Sequence, residues 1–242
     1  MPLRPATPAD EPALAALLTA AFFNESLFGD TFHPYRHEYP DDVVIFWRNF
    51  IRKDFAEPRN RIFVCTTLVN GAEKITGTAT WTRQGEDEVA KEVINTWKKV
   101  EDGEWEDADL STNRALDPSK QEILNEAYPF FKHLWDGTVN DVPKSQNWYL
   151  HLCGVHPEHQ KQGVGQQLVQ WGLDRAREEG VHASVLASDG NDKFYLRCGF
   201  DEVIGNCTEG EGNPLGREGV KGGDVLFMWA SDKKEKIGQK RE

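Results

Sequence analysis

The chain has 242 residues, 38% of them hydrophobic and eight of them tryptophan, so it can bury a sizeable core, and its length favours one domain. Its formal net charge of −12 disfavours nucleic acid as a partner, because an acidic surface repels phosphate backbones, and mildly favours cationic substrates such as amines. The longest near-apolar run, 13–23, is too short to cross a bilayer, residues 1–10 carry no secretion leader, and the four cysteines show no CxxC pairing. We therefore expect a cytoplasmic protein with no membrane association.

The first half of the sequence predicts two helices followed by a β-hairpin. In chain order, the expected elements are a strand at 3–5, a helix ending near 23, a helix at 41–55, and strands at 61–69 and 74–82. Thr7 and Asp10 are suitable caps for the first, Ala/Leu-rich helix. Asn70-Gly71 is a turn signal between the two longer strands, which indicates that they form an antiparallel hairpin.

Residues 83–147 have the character of an insertion. The part at 84–126 holds thirteen acids and five bases, which is most of the net charge of the chain. Apolar residues recur at helical spacing in two places, which predicts two helices. The first set is Val89, Val93, Trp97 and Val100, and the second is Ile123, Ala127 and Phe131. Pro129 should break or kink the second helix. A connection of this length exceeds ordinary loops, so we interpret it as a helical lid or a dimerisation element.

The second half of the sequence alternates strands with helices. Expected are strands at 148–155, 183–187 and 225–230, helices at 163–179 and 192–197, and a Gly-rich loop at 205–223. Gly180 closes the first of these helices. A hairpin in one half and this alternation in the other predict a mixed α/β sheet flanked by helices. We expect a single domain over 1–230 and a disordered, charged tail at 231–242.

The loop Gln160-Lys161-Gln162-Gly163-Val164-Gly165 joins a strand to a helix and has the features of an anion site. Its two glycines allow a tight turn and the close approach of a ligand. The helix that follows offers free backbone N–H groups and the positive end of its dipole, with Lys161 as the nearby fixed cation. The spacing excludes a Walker loop and, because position 168 is leucine, a dinucleotide fingerprint. Two glycines in such a turn are also common where nothing binds.

Two motifs lie at a characteristic separation in the second half of the chain. Leu-Cys-Gly-Val-His-Pro-Glu-His-Gln-Lys-Gln-Gly-Val-Gly at 152–165 fits LxVxPxxQxxGxG with one extra residue after the leucine, and Phe-Tyr-Leu-Arg-Cys-Gly-Phe follows at 194–200. Together they closely resemble the GNAT superfamily of acyl-CoA-dependent N-acyltransferases. The strong resemblance covers 148–200, and a weaker match in element order extends to the N-terminus. It implies a GNAT-like fold, with a central, twisted, mostly antiparallel sheet that contains a splayed strand pair.

The resemblance also implies a cofactor site. In this family the loop amides bind the pyrophosphate of CoA, and the preceding strand pairs with the pantetheine arm, so we expect acetyl-CoA as co-substrate and no metal. Ser188 stands where the family often has an Asn, seven residues before the Tyr. The residues assigned to the cofactor by this resemblance are Cys153, Gly154, Val155, Gln160, Lys161, Gln162, Gly163, Val164, Gly165, Gln166, Ser188 and Tyr195.

Acyl transfer to an amine needs a neutral amine, a polarised carbonyl and a proton for the departing thiolate. In the family the Tyr of the FYxxxGF motif often supplies that proton, so Tyr195 is the candidate acid, and a structural role in the core is the alternative. A backbone N–H near Val155 is expected to polarise the carbonyl.

The candidate base is a histidine. Strand alternation predicts that Tyr149, His151 and Cys153 share one face. The family often has a base glutamate near the position of Tyr149, and this chain has none there, whereas the imidazole of His151 titrates in the useful range. A structural histidine, or a water relay to an acid of the insertion, are the alternatives. The spacing of His151 from His156 and His159 does not suit a metal site, and Cys153 without a paired base is a poor nucleophile.

In the resembling family, the loop between the first two helices and segments near the third and fourth strands shape the acceptor pocket, so we expect the acceptor side there. Six aromatic and histidine residues crowd the loop between the first two helices: Phe28, Phe32, His33, Tyr35, His37 and Tyr39. They could line a pocket for an apolar or aromatic amine, or pack over the core. We expect a small-molecule amine as acceptor, and a monomer or homodimer. Acetylation of protein lysines or N-termini, and CoA binding without catalysis, stay open as other functions.

Overall fold

The computed structural model describes residues 2–100 and 104–231, so all but the first residue of the tail predicted at 231–242 lies outside the described residues. The α-helices are α1 (Glu11–Phe22), α2 (Val43–Ala56), α3 (Glu88–Asn95), α4 (Ile123–Phe131), α5 (Val164–Glu179), α6 (Asp192–Cys198) and α7 (Pro214–Arg217). The strands are β1 (Leu3–Pro5), β2 (Asn60–Val69), β3 (Ala72–Gln84), β4 (Thr138–Val139), β5 (Val142–Pro143), β6 (Asn147–Val155), β7 (His182–Ser188), β8 (Glu202–Asn206) and β9 (Gly222–Met228). In these two ranges no helix has the length and apolar character that would let it span a membrane.

Among the described residues, seven strands form one sheet in the order β1-β2-β3-β6-β7-β9-β8, and β4 and β5 form a separate hairpin. Every neighbouring pair in the sheet is antiparallel except β6 and β7, which are parallel. Their pairing runs from Asn147 and His182 to Leu150 and Val185 and stops there, although both strands continue. The two strands therefore diverge beyond this point. The mixed, mostly antiparallel sheet with a splayed strand pair is confirmed.

Helices cover both faces of the sheet and bury its side chains. On one face, Leu168 and Leu173 of α5 pack in a cluster with Trp81 and Trp148. On the other face, α1 and α2 contribute a second cluster that includes Trp47. Since apolar burial is the dominant favourable term in folding, these two layers fix the sheet and therefore the place where its strands separate.

The predicted hairpin is confirmed, and two elements near the C-terminus were missed. Val69 and Ala72 pair across the turn Asn70-Gly71, whose φ angles of 52° and 79° are of the left-handed kind that this dipeptide favours. β8 and α7 fall in or beside the stretch 205–223, for which a loop was predicted. β8 is an edge strand with only two large apolar residues, Val203 and Ile204, so its sequence carries almost no periodic signal.

The segment between β3 and β6 holds α3, α4 and the β4–β5 hairpin. The prediction that helical spacing continues from α3 to Val100 is wrong, because α3 ends at Asn95. Trp97 instead donates its indole N–H to the carbonyl of Phe55 at 3.1 Å, which ties the segment to the end of α2. Pro129 lies in the last turn of α4, after which the chain tightens into a 3-10 turn.

Polar contacts join this segment to both ends of α2. Arg52 donates to the carbonyl of Glu106 at 2.8 Å. At the other end of α2, Arg114 pairs with Asp42 at 2.7 Å. The segment therefore lies along α2, and α4 reaches the region where β6 and β7 separate.

Candidate active site

A cavity of about 160 Å³ occupies the gap between the diverging ends of β6 and β7. One end is formed by the two strands and α6, through Cys153, Ser188 and Tyr195. The other end is formed by the chain between α1 and α2, by α4, and by the loop before β9. Its apolar lining consists largely of Phe22, Leu27, Phe28, Phe50, Leu124, Phe131, Leu152, Leu215 and Val220. Concave, mostly apolar sites with a few polar groups are typical of small-molecule binding.

A β-bulge at His151 shapes the wall of this cavity. Opposite β3, Leu150 pairs with Trp81 and Leu152 pairs with Thr80, so His151 is the extra residue. Before the bulge, Leu150 belongs to the cluster under α5, and after it, Leu152 belongs to the cluster under α1 and α2. The prediction that Tyr149, His151 and Cys153 share one face is therefore wrong for Cys153, which packs toward α5. Uniform alternation cannot account for an inserted residue.

His151 lines the cavity and pairs with a carboxylate that sequence analysis did not identify. Its Nε2 lies 3.4 Å from Oδ1 of Asp54, and its ring stacks on Phe50 with centroids 5.4 Å apart and planes inclined by 10°. The side chain is 37% exposed, and His151 is part of the cavity lining. Burial alone would lower the pKa of His151, but the hydrogen bond and charge of Asp54 outweigh it, so the pKa is raised above 6.5.

Asp54 belongs to the last turn of α2 and has an exposed fraction of only 7%. Its Oδ2 accepts a hydrogen bond from the hydroxyl of Thr80 on β3 at 2.8 Å. The acid that contacts His151 thus comes from α2 and not from the insertion at 83–147. In the sequence, Asp54 is one of several charged residues near a helix end, so no pattern distinguishes it as a site residue.

Tyr195 lies on α6 at the end of the cavity that also holds Cys153 and Ser188, with 8% of its surface exposed. Its ring packs against Phe194 and Phe200, with centroid distances of 5.1 and 5.7 Å. Burial, and then the negative charges that Cys153 and neighbouring groups would carry, raise the pKa of Tyr195 well above 10. The phenol therefore keeps its proton at neutral pH and is able to donate it.

Cys153 and Ser188 stand on opposite walls of the gap. Burial and the neighbouring Cys198 raise the pKa of the Cys153 thiol to about 12, which disfavours the thiolate that a nucleophile requires. Ser188 accepts a hydrogen bond from the side-chain amide of Asn191 at 2.8 Å. Its own hydroxyl hydrogen remains available to a ligand, since a hydroxyl both accepts and donates.

Beyond Leu150, one edge of β6 stays paired with β3, and the other edge is no longer paired with β7. His156 N–H donates to the carbonyl of Thr76 on β3 at 3.0 Å, so strand alternation turns Val155 and Cys153 toward the open edge. Gly154 lies between them, with its backbone toward β3 and its Cα against Leu18 of α1. The open edge thus presents the amides of Cys153 and Val155, where an extended ligand could pair.

The loop before α5 presents a row of backbone N–H groups. The first intrahelical bond runs from Gln167 N–H to the carbonyl of Gly163 at 3.1 Å, so the amides of Val164, Gly165 and Gln166 precede the helix ladder. Two glutamine side chains brace the loop, because Gln160 donates to the carbonyl of Val155 at 3.3 Å and Gln162 donates to that of Glu158 at 3.0 Å. This end of α5 suits a phosphate group.

The two glycines of the loop differ in what they do. Gly163 has φ 83°, and a Cβ built on it meets nothing within 4 Å, so its open side is available to a ligand. A Cβ on Gly165 would lie 3.2 Å from Phe194 and 3.5 Å from Val155. The absence of a side chain at Gly165 therefore allows α5 to pack closely against these two residues, in addition to any role in ligand binding. Lys161 also adopts a positive φ, 60°, and its side chain is exposed.

The opposite end of the cavity, away from Tyr195, contains two charged residues that the sequence did not reveal. Glu25, just after α1, accepts hydrogen bonds from the amides of Leu27 and Phe28 at 2.9 and 2.8 Å. Burial raises the pKa of Glu25, although these amides oppose the shift. Lys221 lines the same end, and its backbone N–H donates to the hydroxyl of Ser26 at 2.9 Å.

The aromatic stretch between α1 and α2 divides between the cavity and the core. Phe28 lines the cavity, whereas Phe32 and His33 are buried with 4% and 0% exposure and pack on Phe46 of α2. Tyr35 is 51% exposed. Of the two alternatives, Phe32 and His33 therefore fit packing over the core, Phe28 fits the pocket, and several other elements supply most of the cavity wall.

One family model and one named relative match most of this chain. The model of the acetyltransferase (GNAT) family matches residues 21–200. A protein from Stachybotrys chartarum called acetyltransferase is 28% identical over 208 residues, which cover 84% of this chain and 81% of that protein.

Two solved structures align with most of this chain. One, described as a histone acetyltransferase HPA2 and related acetyltransferase from Corynebacterium glutamicum, aligns over 95% of this chain and 96% of its own, with 18% identity and a TM-score of 0.55. Another, a GNAT family acetyltransferase from Brucella melitensis in complex with acetyl-CoA, aligns over 83% and 82%, with 15% identity and a TM-score of 0.38. The first of these likenesses shows the fold.

Proposed function

Because this chain belongs to the acetyltransferase (GNAT) family, we propose that it moves an acetyl group from acetyl-CoA directly to the primary amine of a small molecule within a ternary complex. The observation that carries the proposal is the apolar cavity at the splayed strands, which α4 borders through Leu124 and Phe131. A protein lysine would need an open groove, whereas these side chains narrow the end of the cavity that we assign to the acceptor, the end away from Tyr195. The apolar lining favours an acceptor with an apolar or aromatic body.

Acetyl-CoA is assigned to the other end of the cavity. Its pyrophosphate would meet the free amides at the start of α5, and its pantetheine arm would pair with the open edge of β6. The acetyl carbonyl would then lie near the amide of Val155, which is suited to polarise it. This placement would put the thioester near both His151 and Tyr195, since the two residues line the same cavity.

The proposed reaction uses His151 as base and Tyr195 as acid. His151 takes a proton from the ammonium form of the acceptor, and the neutral amine attacks the thioester carbonyl, so a C–N bond forms and the C–S bond breaks. Tyr195 donates its phenolic proton to the departing sulfur, and the proton lost by the new amide nitrogen restores the phenol. Because a phenol is a weaker acid than a thiol of pKa ~8.5, this return of the nitrogen proton is what makes the donation favourable.

A panel of amines, assayed by release of free thiol from acetyl-CoA, tests the proposal. We expect small apolar or aromatic primary amines to give turnover and lysine-containing or N-terminal peptides to give little. Turnover restricted to peptides would replace the small-molecule acceptor by a protein acceptor. Calorimetric binding of acetyl-CoA without thiol release for any amine would indicate a CoA-binding module.

Replacing Tyr195 with phenylalanine should lower kcat and leave acetyl-CoA binding nearly unchanged, because the ring and its packing on Phe194 and Phe200 are retained. General acid catalysis contributes ~10²–10⁴-fold, and a thiolate is a tolerable leaving group, so we expect the lower end of this range. Steady-state rates, with chemistry shown to be rate-limiting, measure the effect. Since the pKa of Tyr195 lies well above 10, wild-type activity should show no alkaline fall from this group below that pH. An unchanged kcat would leave Tyr195 with a structural role.

A further inference from the structure

Asp54 is held from two sides and makes one contact with the cavity wall. Its Oδ2 accepts from Thr80 Oγ1 at 2.8 Å, and its Oδ1 lies 3.4 Å from His151 Nε2. One helical turn earlier on α2, Phe50 stacks flat on the imidazole. The carboxylate and the aromatic ring of one helix therefore restrain both the position and the plane of a side chain that β6 presents at its bulge.

Resting on the proposed function, we infer that Asp54 is a positioning residue: it fixes His151 in the tautomer that carries hydrogen on Nε2, which leaves Nδ1 as the nitrogen that accepts the proton of the acceptor amine. A neutral imidazole has one N–H, and an ionised carboxylate can only accept, so the nitrogen that faces Asp54 must be the protonated one. His151 is 37% exposed and lines the cavity while Nε2 faces Asp54, so Nδ1 is the nitrogen left for the substrate.

Asp54 also acts after the proton has moved. When Nδ1 accepts a proton, the imidazolium carries its positive charge beside the carboxylate, which stabilises it. This stabilisation makes the imidazole a better base toward the ammonium proton, which must leave before the amine attacks. The arrangement resembles the orienting carboxylate of hydrolase triads in its physics, since the acid holds the tautomer and does not itself take the proton.

Other charged and titratable groups border the same space. Tyr149 lies next to His151 on β6, with ring centroids 6.1 Å apart. Tyr195 of α6, Glu25 after α1 and Lys221 before β9 line the cavity from the other elements. The carboxylate in contact with the imidazole is that of Asp54. Removal of its charge is therefore the change that should act most directly on the titration of His151.

The substitution Asp54→Asn tests the inference through the pH profile. Asparagine can still accept from Thr80, but it offers an amide N–H to Nε2 and so favours hydrogen on Nδ1, the wrong tautomer. We expect kcat/KM to fall by about 10- to 100-fold, less than the ~10²–10⁴-fold of a lost general base, and the acidic limb to move to lower pH. Asp42→Asn is the matched control, because it removes a carboxylate bound to Arg114 at the opposite end of α2. It should leave the pH profile unchanged.

Two further measurements separate positioning from structure and from the proposed function. Nitrogen NMR of the imidazoles, with His151 assigned by its loss in His151→Ala, should show hydrogen on Nε2 in the wild type and on Nδ1 in Asp54→Asn. Adding Asp54→Asn to His151→Ala should cost no further activity, because Asp54 acts through His151. An unchanged tautomer in Asp54→Asn, or additive losses in the double variant, would overturn the inference. A wild type that acetylates no amine would instead refute the proposed function, while the NMR result would still judge Asp54.

Discussion

Replacing His151 with alanine is expected to lower kcat by ~10²–10⁴-fold, the range that general acid–base catalysis supplies, while acetyl-CoA affinity stays close to that of the wild type. The reason is its place in the cavity, between the splayed strands and next to Asp54. Without an imidazole, the acceptor amine must reach the thioester in its rare neutral form. Stopped-assay rates at saturating acetyl-CoA, together with calorimetric binding, measure the two effects separately.

The dependence of kcat on pH tests the same role of His151. The pKa of His151 is raised above 6.5, so the residue is protonated and unable to accept a proton at lower pH. Wild-type kcat should therefore rise with pH through a midpoint above 6.5, and His151→Ala should lose this limb. His151→Gln is the matched control, because it retains a side chain that can hydrogen-bond Asp54 but cannot act as a base. A limb that persists in both variants would mean that another group deprotonates the amine.

The sequence was sufficient for those parts of the fold that rest on local signals. The turn at Asn70-Gly71, the helix that ends at Gly180 and the strand-to-helix loop at Gly163 each depend on a backbone conformation that few residues adopt. β8 at the sheet edge depends instead on pairing with β9, a distant partner, and its sequence has no comparable local signal. Tertiary pairing decided its structure.

The residues of the candidate site also fall into two groups, those with a local signal in the sequence and those without one. Tyr195 and the loop at Gly163 belong to motifs that are contiguous in sequence, so the sequence alone predicts both as site residues. Asp54 could not be found, because its contact with His151 joins α2 to β6 across almost a hundred residues of sequence. The bulge that turns Cys153 away from the face of His151 arises from a register shift between β3 and β6. Strand alternation cannot predict a shift that depends on the partner strand.

Gly163→Glu tests whether the loop before α5 holds the cofactor, and we expect it to weaken acetyl-CoA binding by about 100-fold or more. The Cα of Gly163 faces open space, so a glutamate side chain there would not displace protein atoms and would instead enter the region assigned to the pyrophosphate. Its negative charge would lie at the free amides of α5, where it would compete with the phosphates and repel them.

Backbone strain is the effect that must be separated from this loss, because Gly163 has φ 83°, which L-residues rarely adopt. Gly71→Glu is the matched control: φ is 79°, a Cβ there also meets nothing within 4 Å, and the residue lies in the β2–β3 turn. Both variants should lose similar stability in thermal unfolding, but only Gly163→Glu should lose acetyl-CoA affinity by calorimetry. Equal affinity in the two folded variants would mean that the amides at the start of α5 do not bind the pyrophosphate.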